Sequence, residues 1–311
     1  MTLKVERPKK QKIKNVKDNI ELYLIMLPVL IFIFIFSYIP MYGIIIAFQD
    51  YSPGSGFLFD PNIKWVGFKH FTAFITNMYF WRLIKNTIVL SLLNLGIVFW
   101  TPIIFALIIN ELTAVKYKKV VQTISYLPHF VSAVVVAGMV ISFTNTDGII
   151  NQIRGLMGFE IVAYNNSPEA FPWIYTITNI WKSFGFGSIL YLSSIAAIDT
   201  SMYESARIDG ANRMKQMWYI TLPMIRPTIT IMLIFAIGGL LNANSEMILL
   251  LYNPAIYSTA DVVGTYLYRD ALLTGQFSFG TAVGVFTSII NFALVFAANA
   301  VARKTSDYSL W

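Results

Sequence analysis

The chain has 311 residues, 56% of them hydrophobic and 13% charged, with a formal net charge of +7 and no cysteine. Its mean hydropathy is +0.62. A soluble domain carries roughly 25% charged residues, so the composition excludes an ordinary water-soluble protein, and the missing thiols exclude disulfide staples and thiolate metal sites.

Charge-free runs cover residues 22–49, 86–110, 120–146, 227–245 and 271–302, and a sixth, 170–198, is interrupted only by Lys182. A helix needs roughly 20 apolar residues to cross the hydrocarbon core. With no barrel-type alternation, helices are the remaining way to satisfy the backbone in lipid. The runs predict an all-α membrane protein of six transmembrane helices.

The first 20 residues form a basic arm with Lys4, Arg7, Lys9, Lys10, Lys12, Lys14 and Lys17. It has no aromatic interleaving, which favours a solvated face near anionic lipid over nucleic acid. The apolar run after it, 21–49, is too long for a signal peptide and has no small-x-small cleavage site, so it reads as a retained first helix. An outer loop, 50–82, follows; its aromatic-rich half suits the membrane–water interface and predicts a short surface helix. Residues 83–303 form a core of five further helices, and 304–311 a tail. With alternate loops facing the same side, the arm and the loops with Lys116, Arg207, Arg213 and Arg303 hold 16 of the 23 Lys and Arg. The positive-inside rule then places both termini in the cytoplasm.

Helix two leads through "ELTAVKYKK" to helix three at 120–146, and an outer loop with a short amphipathic piece leads to helix four. At the end of helix four lies a polar stretch, 200–224. Ser201 and Glu204 have the spacing of a capping box starting a helix near Met202. Asp209-Gly210 signals a turn. A second helical piece follows, which Pro223 should end or kink, and Pro227 opens helix five. The stretch is either an ordinary loop in which Glu204 only caps a helix, or a rigid docking surface. No phosphate-binding glycine loop, metal-binding histidine pair or paired intramembrane carboxylates occur in the sequence, so nothing predicts catalysis or a metal site.

"ESARIDGANRMKQMWYITLP" resembles the EAA loop of ABC importer permeases, with Glu204, Ala206, Gly210, Ile220, Leu222 and Pro223 at the family spacing and Ser205 in place of the middle alanine. "LPVLIFIFIFSYIPMYGIIIAFQDYSP", "VQTISYLPHFVSAVVVAGM" and "NIWKSFGFGSILYLSSIAAID" are similar to permeases of the maltose-type carbohydrate uptake family. Among these the chain is closest to the branch for complex oligosaccharides such as aldouronate or alginate fragments. The resemblance implies a type I importer (MetI-like) fold in a bacterial cell membrane. It also implies a second permease subunit, a pair of ATPases that bind ATP and magnesium, an extracytoplasmic sugar-binding protein and an oligosaccharide substrate. This chain would bind no cofactor. Glu204 would lie near a basic residue of the ATPase, with Ser205, Ala206, Asp209 and Ile220 in the same coupling set; Gly210 would form the turn, and Leu222 and Pro223 would set the angle into helix five.

For the substrate path, Lys182 lies about 25 Å up helix four from Asp199 at 1.5 Å per residue. It either snorkels to the outer headgroups or faces the pathway, with Glu246 on helix five as its expected partner. Asn94, Asn242 and Asn244 either bind sugar hydroxyls or join helices, and Trp181 and Tyr191 either stack on sugar rings or pack. A transporter driven by an ion gradient is the alternative, against which stand the lack of a repeat and of intramembrane carboxylates other than Glu246. His129 is expected to serve a helix end.

Overall fold

The computed structural model describes residues 19–52, 54, 63–305 and 309–310. The basic arm and parts of the first outer loop and the tail lie outside the described residues. Among those described there is no strand, only an isolated antiparallel bridge between Gln49 and Trp65.

Helix α1, Ile20–Phe48, is exposed along nearly its whole length, and only its last part packs on the final helix. Its uniformly apolar composition leaves no buried face, as expected of a span that contacts lipid or a partner chain. The surface helix α2, Lys69–Ile75, leads to α3, Phe80–Asn110. A π-helical turn, Asn94–Val98, interrupts α3.

The third hydrophobic run is two helices. Helix α4, Val115–Phe130, contains Pro128 in its last turn. Val131 and Ser132 are extended, and Ser132 caps α5, Ala133–Thr144, by accepting a hydrogen bond from Val135 N. The expectation of one continuous span at 120–146 is therefore corrected: proline weakens the last turn, and serine offers a new start four residues later. After α6, Ile149–Leu156, comes α7, Phe171–Ala196.

Helix α8, Thr200–Ile208, is capped by Asp199, which accepts from Ser201 N. The predicted Ser201/Glu204 capping box gives way to this earlier cap. Beyond the turn, α9 runs unbroken from Arg213 to Gly238. Helix five thus starts 14 residues before Pro227, and Pro223 does not end it. A π-helical turn, Met217–Thr221, widens the helix immediately before Pro223, relieving the clash that proline imposes on the preceding turn.

Helix α9 also stops early. Gly239–Asn244 breaks the run, with Ala243 and Asn244 both left-handed at φ 41°, and α10, Ser245–Leu251, resumes at a new angle. Glu246 therefore sits in the first turn of a separate helix, not on helix five. Short helices α11, Tyr257–Ala260, and α12, Val263–Tyr266, precede α13, Phe277–Thr305.

Among the described residues five stretches have the length and apolarity of a membrane span: Ile20–Phe48, Phe80–Asn110, Ala133–Leu156, in which a turn at residues 145–148 separates α5 from α6, Arg213–Gly238 and Phe277–Thr305. Helix α7 is as long but more polar, and buries Thr176, Thr178, Asn179 and Ser188 against its neighbours. Glycine permits the closest crossing: a Cβ at Gly185 would lie 1.9 Å from Ser125 O on α4, and one at Gly238 would meet Val295 at 2.3 Å. Packing concentrates in three clusters. Leu90, Tyr175 and Ile248 anchor one, Phe74, Phe80 and Val283 a second, and Ile103, Tyr191, Ile195 and Ile225 the third, beside α8.

Candidate functional site

Two regions bring the sequence-predicted residues together. The first is the elbow between α8 and α9. Gly210 adopts φ +76°, and the bonds Ala211 N to Ala206 O (2.8 Å) and Gly210 N to Arg207 O (3.1 Å) close the turn. Asn212 then caps α9 by accepting from Lys215 N at 2.9 Å. Both sides of the turn are thus fixed by local bonds, which makes the elbow stiff.

The elbow is tied to the bundle on one side only. Tyr203, Ile220 and Leu222 pack on the cluster of Ile103, Tyr191, Ile195 and Ile225. Tyr203 Oη and Thr221 Oγ1 share a hydrogen bond of 2.9 Å, and Gln216 Nε2 donates to Ala211 O at 2.9 Å. Arg213 reaches across to Glu111 O at 3.1 Å, linking the elbow to the end of α3. Glu204, Ser205, Asp209, Gly210 and Pro223 are exposed, and Ala206 is half-buried. Beside Glu204 lies a groove of about 350 Å³, lined by Glu111, Tyr203, Arg207, Arg213 and Gln216. Ile208 on α8 and Tyr219 on α9 are both at least 80% exposed. The cap carboxylate of Asp199 is held below its ordinary pKa, chiefly by the backbone hydrogen bond from Ser201.

The second region surrounds the break after α9. Asn94 Nδ2 donates to Tyr175 Oη (2.8 Å), which donates to Ala243 O (2.8 Å). Asn244 Nδ2 donates to Asn179 Oδ1 at 2.9 Å, and Asn179 Nδ2 approaches Asn94 Oδ1 at 3.5 Å. Ser91 Oγ donates to Leu240 O. Asn242 Oδ1 accepts from Asn291 Nδ2 at 3.2 Å. The Tyr175 and Ser91 hydroxyls, with Asn291 Oδ1 accepting from Leu241 N at 3.1 Å, satisfy backbone groups that the break frees, which irregular backbone at membrane depth requires. A cavity of about 250 Å³ opens beside them, lined by Ser91, Asn94, Phe99, Gly239, Leu240 and Asn244.

Of the predicted path residues, Asn94 and Asn244 line this cavity and Asn242 adjoins it. Tyr191 does not: it is buried in the packing cluster near the elbow and has no ring face free for a sugar. Trp181 is partly exposed and Lys182 half-buried on α7. Among the described residues Lys182 and Glu246 make no ion pair, so that expected partnership is corrected. Tyr175 and Asn179 escaped sequence reasoning, although a polar residue inside a charge-free run was the available signal. His129 is not merely a helix end; its ring lies flat on Phe186, centroids 3.9 Å apart and planes within 2°.

A third cluster also went unread. Asp261, fully buried, accepts from Arg82 (2.9 Å) and from both terminal nitrogens of Arg269 (3.1 Å each). Thr265 donates to it at 2.9 Å. Burial alone would lower the Arg269 pKa, but the bonds and charges of Asp261 and Asp270 outweigh it and raise the value. The cluster clamps the segment after α10 onto α3.

Comparison with known proteins agrees with this architecture. Residues 115–307 match the model of the family described as binding-protein-dependent transport system inner membrane component. The polygalacturonan/rhamnogalacturonan transport system permease protein YteP of Bacillus subtilis (strain 168) is 41% identical over 99% of this chain and 95% of that one. A chain of a bacterial alginate ABC transporter, solved with an alginate pentasaccharide-bound periplasmic protein, superposes with TM-score 0.86 at 40% identity, covering 96% and 99% of the two chains. A chain of a bacterial ABC transporter that imports the acidic polysaccharide alginate gives 0.85 at 41% identity, covering 95% and 99%. This chain, which lies in the cell membrane as a multi-pass, non-catalytic subunit, belongs to the binding-protein-dependent transport system inner membrane component family.

Proposed function

We propose that this chain is the pathway-forming and coupling subunit of an ATP-driven importer for oligosaccharides released from acidic polysaccharides. The elbow carries the reading: Glu204, Ser205, Asp209, Gly210 and Pro223 are exposed and Ala206 half-buried, whereas Ile220 and Leu222 pack on the bundle. A solvent-facing shelf rooted in the bundle core suits transmission of force from outside. An ion-gradient transporter has no use for such a shelf, and family membership favours the ABC reading over it.

In this proposal the chain has six spans, the sixth being α7, with both ends in the cytoplasm. It pairs with a second, homologous permease subunit, and ATP with its magnesium binds a pair of partner ATPases that seat on the elbow. An extracytoplasmic binding protein delivers the sugar. ATP binding draws the elbows together and opens the bundle outward, and hydrolysis resets it, a rigid-body form of alternating access. Asn94, Asn179, Asn242 and Asn244, next to the broken helix, supply donors and acceptors for sugar hydroxyls. Lys182, Trp181, Phe186 and His129 add charge and ring faces. The acidic substrate class rests on the relatives: polygalacturonan and alginate appear in their names, and Lys182 is a cation within a span.

The test is uptake into liposomes holding the complete complex, with a loaded binding protein. Uptake of oligogalacturonate or oligoalginate that requires ATP and both permease chains is expected. Movement of solute by this chain alone, without ATPase, overturns the proposal.

A further inference from the structure

Helix α6, Ile149–Leu156, presents its faces in the reverse of the order found on a water-facing surface. At 100° per residue, Ile149, Ile150, Ile153 and Leu156 fall within an arc of about 120°, while Asn151 lies on the opposite side. Asn151 is buried, and its amide is fully used: Nδ2 donates to Asn145 O and Val162 O at 2.9 Å each, and Oδ1 accepts from Val162 N at 3.0 Å. The polar side of α6 thus faces the protein and the apolar side faces outward. All four arc residues are exposed, Leu156 at 90%, and Met157, Phe159 and Ile161 extend the patch.

The patch continues an exposed apolar surface. Helix α5 exposes Val134, Val135, Met139, Ile141 and Phe143, and the one charged residue between it and Ile153 is Asp147. Helix α5 by itself is 12 residues long, about 18 Å and short of a crossing; a turn at residues 145–148 separates it from α6, and α4 on its other side makes up the length. Its far end, where α6 begins, therefore marks a leaflet surface. On one flank of the arc Arg154 lies over the rings of Phe159 and Tyr164, at 5.4 and 5.9 Å, with Nε donating to Glu160 O. A cation held beside an apolar face is the arrangement of a helix lying in an anionic interface.

We propose that α6 is a membrane-surface helix whose Ile149–Ile153–Leu156 face sits among the acyl chains, with Arg154 and Gln152 at headgroup level. The Asn151 bonds fix its orientation, so it anchors the end of α5 at a set depth as the bundle rocks.

The sequence holds no cysteine, so Ile153→Cys, Leu156→Cys and Gln152→Cys each give this chain one site for a nitroxide. Leu156 makes few contacts, so its replacement places little demand on folding. The assembled complex would be labelled in lipid bilayers, with the unsubstituted complex correcting for label on partner subunits. Collision with oxygen, which partitions into acyl chains, is compared with collision with a water-soluble nickel chelate. An oxygen-to-nickel ratio above one at 153 and 156, and lower at 152, is expected. A nickel preference at 156 means water, and low access to both reagents at 153 and 156 means a covering protein; either overturns the proposal. The readout is independent of ATP-driven uptake, so it fails separately from the transport reading.

Discussion

Tyr203 on α8 and Thr221 on α9 are joined by a 2.9 Å hydrogen bond across the Gly210 turn. Thr221 is almost fully buried, so the bond is shielded and the two arms of the elbow are braced at their base. Tyr203→Phe keeps the packing and removes the brace, a loss of about 0.5–1.5 kcal/mol. The ratio of sugar transported to ATP hydrolysed in liposomes is expected to fall while membrane insertion stays normal. An unchanged ratio would mean that packing alone transmits the force.

At Gly210, φ +76° with no heavy atom within 4 Å of a built Cβ separates backbone strain from crowding. An L-residue there costs about 1–2 kcal/mol. Asparagine tolerates this region better than alanine, and valine tolerates it least. Coupled uptake is expected to decline in the order Gly, Asn, Ala, Val. Exposed Glu204 behaves differently: Glu204→Lys should leave stability within about 0.5 kcal/mol yet uncouple hydrolysis from uptake, because it changes only the docking face. Parallel thermal melts and uptake assays distinguish the two.

The elbow was legible because its signals are local: the Gly210 turn, the charges and the fixed spacing all lie within 24 residues of one another. Helix breaks were harder. At Ser132 a proline and a capping residue were present in the sequence but read as part of a charge-free span. At Ala243 and Asn244 two non-glycine residues adopt φ 41°, and what holds them there is Tyr175 and Asn179, far away in sequence. Hydropathy alone cannot register such a partner. For the same reason the Asp261 clasp was missed, since Arg82 lies 179 residues from it.

Replacing Asp261 tests that clasp. Asp261→Asn leaves two arginines converging on a buried neutral amide, and removing one partner of a buried ion pair costs about 3–5 kcal/mol. A clear drop in the melting temperature of the detergent-solubilised complex is expected. The raised Arg269 pKa keeps that guanidinium charged at any working pH, so the drop should persist from neutral to alkaline buffer. Arg269→Lys should recover only part of the stability lost in Arg269→Ala, because the ammonium cannot make both bonds of the fork.

Asn244 separates backbone from side chain in the broken helix. Its φ of 41° suits glycine, so Asn244→Gly should preserve the break while deleting the bond to Asn179. If the amides read sugar hydroxyls, one hydrogen bond of about 0.5–1.5 kcal/mol raises KM about two- to twelve-fold with basal ATP hydrolysis unchanged. A wild-type KM would assign Asn244 to helix joining alone.

Asp199 gives the elbow a defined response to pH. Its carboxylate accepts from Ser201 N at 2.9 Å, and that bond holds its pKa below the ordinary value. A depressed carboxylate contributes its stabilisation in full above the ordinary range and loses it as pH falls through the depressed value. The cap is therefore intact at neutral pH and opens only in acid. Amide exchange of Ser201 and Met202 should be slow at pH 7 in the wild type and rise relative to the intrinsic rate below the ordinary carboxylate pKa. Asp199→Asn keeps an acceptor without a titrating group, and should remove that pH step while protecting α8 throughout. Asp199→Ala should fray α8 at every pH. If Asp199→Asn followed the wild-type acid profile, the pH response would belong to another group in the elbow.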